Sequence, residues 1–212
     1  MNEENEIKLK ILRRSEDIFR LHGFSKVTME EIASDLGISK KTLYKHFSNK
    51  EHLLKEIVNL NKCETADFIE KLLNDTSLPF MEKLERFMGF IAQLSTKLEN
   101  PMTAELMRCQ PEVWKDIDEF RAKHAYKNLS RLIQEGITHG AFRTDLNTDV
   151  VVVAYVAAIH SVINPATLSK LPVSATQAYK EIVKILFEGI FTTEGRKKYK
   201  SSLKEYYEEV TV

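Results

Sequence analysis

The sequence has little glycine and little proline. Its 212 residues include 7 Gly and 5 Pro, whereas average usage would give about 15 Gly. Sandwiches and barrels need a turn every 8–12 residues or so, and such turns draw on these two residue types. The shortage therefore disfavours β architectures and predicts an all-α chain.

Cysteine and long apolar runs are also scarce. Cys63 and Cys109 lie far apart and match no metal or redox spacing, and the six histidines do not cluster at metal-ligand spacing either. The most apolar segment, 150–163, is shorter than the roughly 18–20 residues that span a bilayer. The acidic start, Met1 to Glu6, is the reverse of a signal peptide. These absences predict a cytoplasmic protein with no membrane partner, no metal and no cofactor.

Net charge is absent too, since 31 Lys+Arg balance 31 Asp+Glu. Taken globally, this balance argues against nucleic acid as a partner. Locally, however, no acidic residue lies between Asp35 and Glu51, and lysine supplies all the charge there. Such a cluster suits duplex DNA, because lysines that neutralise phosphates release counterions. An ordinary solvent-exposed helix face would have the same composition. The choice between a DNA-binding surface and a solvent-exposed face therefore depends on the surrounding sequence.

Two short helices with well-marked starts are predicted in this region. Thr28 and Glu31 form a capping box for one helix, which ends at Gly37 after about two turns. Ser39 is the expected N-cap of the next helix, over 40–47. Two short helices joined by a tight turn that contains glycine form a helix-turn-helix.

The neighbouring segments complete a small DNA-binding unit. A preceding helix with an apolar stripe ends at Gly23, and a second capping box, Ser48 to Glu51, starts a fourth helix. In the 40–47 helix, Leu43 and Phe47 lie one turn apart and would face the core. The outward arc then carries Lys41, Thr42, Tyr44, Lys45 and His46. Lysines interleaved with these side chains on the second helix favour DNA over a merely solvated face.

Residues 11–58 closely resemble the DNA-binding domain of the TetR (tetracycline-repressor-like) family. The resemblance is carried by GFSKVTMEEIA at 23–33 and by LGISKKTLYKHFSNKEHLL at 36–54. It implies a three-helix DNA-binding domain over 1–50, whose recognition helix enters the major groove. It also implies an all-helical effector-binding and dimerisation domain over 51–212, and homodimers that read palindromic operators.

Site residues for DNA follow in two groups. By resemblance, the expected phosphate contacts are Thr28, Thr42, Tyr44, His46 and Lys50. The candidates for base edges are Lys40, Lys41 and Lys45, since lysine can donate to guanine O6 and N7.

The last two main helices are predicted at about 147–163 and 175–192. The first is apolar on nearly all faces, as in a helix that is deeply buried or lies at a subunit interface. The second is amphipathic and would pair with it. In the TetR family these helices form an intermolecular four-helix bundle, so a homodimer is expected here.

Family members enclose small, often hydrophobic molecules among their middle helices. The expected lining is Phe87, Met88, Ile91, Met107 and Trp114, with Gln110, His124 and His160 as polar contacts. Aromatic and methionine stripes at helical spacing are also typical of an ordinary core, and that alternative stays open.

The leading hypothesis is a ligand-responsive transcriptional regulator, a repressor released from a palindromic operator by a small hydrophobic effector. The alternative is a DNA-binding adaptor whose C-terminal domain binds a protein partner instead. An enzyme has no support in the sequence, which lacks a Gly-x-Ser-x-Gly elbow, a phosphate loop and a zinc signature.

Overall fold

The computed structural model describes residues 3–96 and 100–199, and within these ranges the chain is helical. The helices are α1 (Glu3–His22), α2 (Met29–Asp35), α3 (Lys40–His46), α4 (Lys50–Asn74), α5 (Phe80–Thr96), α6 (Pro101–Cys109), α7 (Pro111–Thr138), α8 (Thr148–Val162), α9 (Pro165–Leu168) and α10 (Ala175–Ile190). An isolated antiparallel bridge pairs Phe142 with Phe191. The all-α expectation is confirmed. No helix in the described ranges is both long enough and apolar enough to cross a membrane.

The chain divides into two compact units. The first runs from the start of the described chain to Thr65 and also includes α6 and the part of α7 up to Phe120. The second contains Ala66 onward through α5, and everything described from Arg121 onward. Helices α4 and α7 therefore contribute to both units. The division of function at residue 50 stays a prediction, because compactness does not test it.

Helix ends in the first unit follow the local signals of the sequence. Gly23 ends α1 with a φ of +86°, and the Phe24 ring then packs edge-on against Phe19 at 5.3 Å. The capping box of α2 is complete: the Glu31 amide donates to the Thr28 hydroxyl at 3.2 Å, and the Thr28 amide donates to the Glu31 carboxylate at 2.7 Å. These interactions fix where α1 ends and where α2 begins.

The start of α4 differs from the predicted capping box at Ser48. The capping oxygen belongs to Asn49, whose Oδ1 accepts from the His52 amide at 2.7 Å. Asparagine is as good an N-cap as serine, and α4 begins at the very next residue. The predicted cap was therefore one residue early.

The core of the first unit joins the three N-terminal helices to α4, α6 and α7. Phe19, Ile32, Leu43 and Phe47 have no exposed surface. The members that α6 and α7 add to this cluster are Met102, Leu106 and Val113. Each such side chain stabilises the fold by about 1.5–3 kcal/mol when fully buried. Packing therefore ties α6 to the helices of the helix-turn-helix.

The second unit is built around α5, α8 and α10. Tyr155 of α8 donates to the Tyr179 hydroxyl of α10 at 3.1 Å inside this core. Burial raises the pKa of both phenols above their ordinary value, so neither carries charge. The Phe187 ring packs against Tyr155 and Phe142, which extends the aromatic core along α10.

Candidate nucleic-acid interface

Helix α3 presents one face to the core and the opposite face to solvent. Ser39 caps it by accepting from the Thr42 amide at 3.0 Å. Leu43 is fully buried, as is Phe47 directly after the helix. The exposed and half-exposed side chains form what we call the reading face: Lys40, Lys41, Thr42, Tyr44, Lys45 and His46. The structure thus brings six of the eight predicted DNA-binding residues onto one surface.

Two lysines of the reading face are paired with carboxylates outside α3. Lys40 lies 3.2 Å from Glu30 of α2, and Lys45 lies 2.9 Å from Glu4 of α1. All four side chains are well exposed, so the attraction is weak and screened by salt. Lys41 forms no ion pair with any residue of the described ranges. Phosphates can therefore compete for all three ammonium groups.

The two carboxylates stay ionised at neutral pH. The hydrogen bond from Lys45 lowers the pKa of Glu4, and the charge of Lys45 lowers it further. A hydrogen bond between the Glu30 carboxylate and the backbone of the same residue lowers the pKa of Glu30, and Lys40 lowers it further. In the free protein the reading face is consequently less positive than its lysines alone would make it.

Thr28 lies beside the reading face rather than on it. Its hydroxyl accepts from the Glu31 amide and lies 2.9 Å from Glu31 Oε2, so both of its local roles serve the α2 cap. The Thr42 hydroxyl lies 2.8 Å from the Ser39 hydroxyl, within hydrogen-bond distance. Both hydroxyls are at helix starts, where free backbone amides also favour an anion.

Lys50 differs from the other predicted phosphate contacts because its ammonium is already engaged. Nζ donates to the carbonyls of Phe24 and Val27, each at 2.9 Å, and lies 3.4 Å from the carbonyl of Ser25. It also lies 4.5 Å from the centre of the Phe24 ring. The sequence indicated a cation at the start of α4 but not these partners, which lie 23 to 26 residues earlier in the chain.

The predicted effector-lining residues are divided between the two units. Met107, Gln110 and Trp114 belong to the first unit, where Trp114 packs against the core. The remainder belong to the second unit: Phe87, Met88, Ile91, His124 and His160. Phe87 is a buried core residue, and His160 is exposed.

A cleft of about 650 Å³ lies in the second unit between α5, α10 and the segment that follows α10. Its apolar lining is Met88, Ala92, Val183, Phe187 and Phe191, and its charged lining includes Lys180, Lys184 and Arg196 with Glu181 and Glu188. Met88 alone among the predicted lining residues contributes to it. The amphipathic sequence of α10 predicted a helix that packs on α8. Periodicity alone does not show that part of the apolar face of α10 lines a cleft.

Helices α8 and α10 also expose large apolar side chains to solvent. Val150 and Val153 of α8 are 64% and 57% exposed, and Ile185 of α10 is 71% exposed. These side chains lie within the two segments predicted to form the subunit interface. An isolated chain gains nothing from exposing them.

Comparison with known proteins gives a consistent result. The family model described as "Bacterial regulatory proteins, tetR family" matches residues 11–57. An uncharacterized HTH-type transcriptional regulator, YvaF of Bacillus subtilis, is 27% identical over 87% of this chain and 96% of its own length. The HTH-type transcriptional repressor KstR2 of Mycolicibacterium smegmatis is 25% identical over 89% of this chain and 92% of its own.

The fold recurs in solved structures. A crystal structure of a gamma-butyrolactone receptor, described as an ArpA-like protein, superposes with a TM-score of 0.63. It is 20% identical, and the match covers 93% of this chain and 94% of the receptor. The similarity extends well past the helix-turn-helix into the second compact unit.

Proposed function

Because the chain belongs to the TetR family of bacterial regulatory proteins and is a transcriptional regulator rather than an enzyme, we propose that it is a repressor which a small hydrophobic effector releases from a palindromic operator. The reading face of α3 is the observation that carries this proposal. It presents three lysines, two hydroxyls and an imidazole on a short helix whose other face is locked into the core. One of the relatives is a transcriptional repressor, which supports repression over activation.

We assign the direct recognition of DNA bases to α3. Lys40, Lys41 and Lys45 donate to base edges in the major groove, which is wide enough to admit a helix. Their charges also neutralise neighbouring phosphates, which makes the affinity depend on salt. The phosphate contacts fall to Thr28, Thr42, Tyr44 and His46, whose hydroxyls and ring nitrogens can donate to phosphate oxygens. Most of the affinity then comes from the phosphates, and the sequence preference comes from the lysines.

A homodimer presents two copies of the reading face. We assign its interface to α8 and α10, whose exposed Val150, Val153 and Ile185 would be covered by the same helices of a second copy. A two-fold dimer matches a palindrome, because each half-site then meets the same helix. Helix-turn-helix dimers usually bind half-sites about 34–36 Å apart or multiples of this.

The effector site is assigned to the cleft of the second unit. Its volume lies within the range of small-molecule pockets, about 300–1,000 Å³, and Met88, Val183 and Phe187 give it an apolar lining. The gamma-butyrolactone receptor supports a small-molecule ligand for this fold. Release from DNA requires that the effector bind the non-binding conformation more tightly than the DNA-binding one.

Selection from a random-sequence duplex pool by the full-length protein tests the operator. We expect a palindromic consensus, two chains bound per duplex, and an affinity that falls steeply with salt. Failure to enrich any sequence, or binding that does not respond to salt, would remove the DNA-binding role.

Light scattering in solution tests the subunit interface. The protein is expected to be a dimer, and Ile185→Lys is expected to shift it towards monomer, since a charge would then be buried in an apolar interface. A wild-type monomer at micromolar concentration would contradict the assignment of α8 and α10 to a homodimer interface.

A further inference from the structure

The loop between α1 and α2, residues 23–28, sets where the helix-turn-helix begins. It starts at Gly23, in the left-handed region, and ends at Thr28, the N-cap of α2. Since α2 leads into α3 through a tight turn, a shift of this loop moves the start of α2 and with it the reading face. What holds the loop therefore bears directly on DNA recognition.

Lys50 of α4 holds the loop through its carbonyl groups. An ammonium has three N–H donors, and three loop carbonyls lie within reach of Nζ: Phe24 and Val27 at 2.9 Å and Ser25 at 3.4 Å. The Phe24 ring, 4.5 Å from Nζ, adds a cation–π contact. A phosphate would have to take one of these donors away from a carbonyl.

Glu105 of α6 holds the same loop through an amide. Glu105 Oε2 accepts from the Ser25 N–H at 2.6 Å. The carboxylate also lies against Gly23, where an added Cβ would be only 2.6 Å from Oε1. Partial burial opposes ionisation of Glu105, but the hydrogen bonds from Ser25 outweigh it and keep the pKa of the carboxyl below its ordinary value. The acceptor is thus fully charged at neutral pH.

We propose that Lys50 and Glu105 are positioning residues for DNA recognition: they clamp the α1–α2 loop from α4 and from α6, and Lys50 is not a phosphate contact. A cation satisfies the carbonyl groups, and a carboxylate satisfies the amide, so each side chain matches the backbone groups that it faces. The inference rests on the proposed DNA-binding function, which it deepens by naming what holds the reading face in place.

The clamp makes DNA affinity depend on the position of α6. Met102 and Leu106 anchor this helix in the core of the first unit, and Glu105 lies between them in the chain. A displacement of α6 must either carry the loop along or leave the Ser25 amide without its acceptor. Either outcome changes where α2 begins.

Two substitutions with matched controls test the clamp in the full-length protein. Lys50→Met keeps the aliphatic stem and removes the charge, and Glu105→Ala removes the acceptor. The controls are Lys41→Met, an exposed lysine of the reading face, and Glu112→Ala, an exposed carboxylate of α7. For each variant, the dissociation constant is measured over a range of salt concentrations with the selected duplex, and thermal unfolding is followed without DNA.

Positioning and phosphate contact give opposite results. Lys50→Met and Glu105→Ala are expected to weaken binding to the selected duplex by about tenfold or more and to lower the unfolding midpoint by about 3 °C or more. The slope of log affinity against log salt should stay as in the wild type. Lys41→Met is expected to reduce that slope by about 0.9 without lowering the midpoint, and Glu112→Ala should change neither.

A slope reduced by about 0.9 in Lys50→Met, with an unchanged midpoint, would show a phosphate contact and overturn the assignment of Lys50. A Glu105→Ala variant indistinguishable from Glu112→Ala would overturn that of Glu105. If either variant fails to fold, Lys50→Arg and Glu105→Gln take its place, since they retain donors and an acceptor and should recover most of the affinity. A loss of binding of about tenfold or more in these folded variants would also contradict the clamp.

Hydrogen exchange of the Ser25 amide in the wild type separates this inference from the proposed function. Protection of that amide, lost in Glu105→Ala, supports the clamp even without DNA, whereas rapid exchange in the wild type contradicts it. A wild-type protein with no salt-dependent DNA binding would instead overturn the proposed function and leave the amide result standing.

Discussion

Lysine has contrasting surroundings on the reading face and in the interior of the second unit. On α3, Lys40 and Lys45 are exposed and face carboxylates across solvent. In the second unit, Lys83 of α5 is only 3% exposed, and its ammonium lies 2.7 Å from Glu135 of α7 and 3.3 Å from the carbonyl of Leu73 at the end of α4. The contrast shows that burial and partner type decide what a lysine does. Exposed ammonium groups can exchange carboxylates for phosphates, whereas Lys83 ties three helices together.

Lys83→Met is the substitution with the largest expected effect on stability. Removal of the ammonium leaves the Glu135 carboxylate, itself partly buried, without its partner. We expect the free energy of unfolding to fall by about 2–4 kcal/mol, measured by urea denaturation. Lys71→Met, at an exposed position of α4, is the control and should change it by less than about 0.5 kcal/mol. A Lys83→Met protein as stable as the control would show that burial does not fix the role of this lysine.

Lys45→Met should act on DNA affinity instead of stability. Loss of one contact on the reading face is expected to weaken binding to the selected duplex by about five- to tenfold and to reduce the salt slope by about 0.9. Lys115→Met removes an exposed charge from α7 and serves as the control. Equal effects of the two substitutions would mean that net charge, and not the position on α3, governs binding.

Thr28→Ala tests a side chain that the α2 cap uses in the free protein. Loss of the capping oxygen is expected to lower the free energy of unfolding by about 1 kcal/mol, measured by urea denaturation without DNA. Thr28→Ser retains the hydroxyl and should recover most of the loss. Unchanged stability in Thr28→Ala would show that the hydroxyl matters only when DNA is bound.

The sequence predicted best the features that depend on neighbours a few residues away. Gly23 ends α1 and Thr28 caps α2 through contacts within four residues, so the residue types alone identify them. The cap of α4 was misplaced by one residue because Ser48 and Asn49 are equally good candidates. Local signals therefore fix the kind of element well and its exact boundary less well.

Long-range contacts were not predictable in the same way. The contact between Glu105 and Ser25 spans 80 residues, and it exists only because α6 packs against α1. Trp114 was predicted from the sequence to belong to the effector lining, yet Trp114 packs on the core of the first unit, and Phe187 of α10 lines the cleft of the second. Which helices are neighbours decides such questions, and no single helix encodes its neighbours.

The smallest expected effect belongs to the carboxylates that face the reading face. Glu4→Gln and Glu30→Gln remove a negative charge beside Lys45 and Lys40 and leave each helix intact. We expect each to strengthen binding to a mixed-sequence duplex by less than about fivefold, measured by fluorescence anisotropy at low salt, because exposed ion pairs are weak and screened.

Glu119→Gln, on α7, is the matched control and should leave that affinity unchanged. The gain should be larger on mixed-sequence DNA than on the selected duplex, since the freed lysines add non-specific phosphate attraction. The two carboxylates would then raise specificity by lowering non-specific affinity. Weaker binding in Glu4→Gln or Glu30→Gln would contradict this role and show that the carboxylates orient the lysines for DNA. The exposed ion pairs of α3 would then fix the lysine position, as the buried pair of Lys83 and Glu135 does.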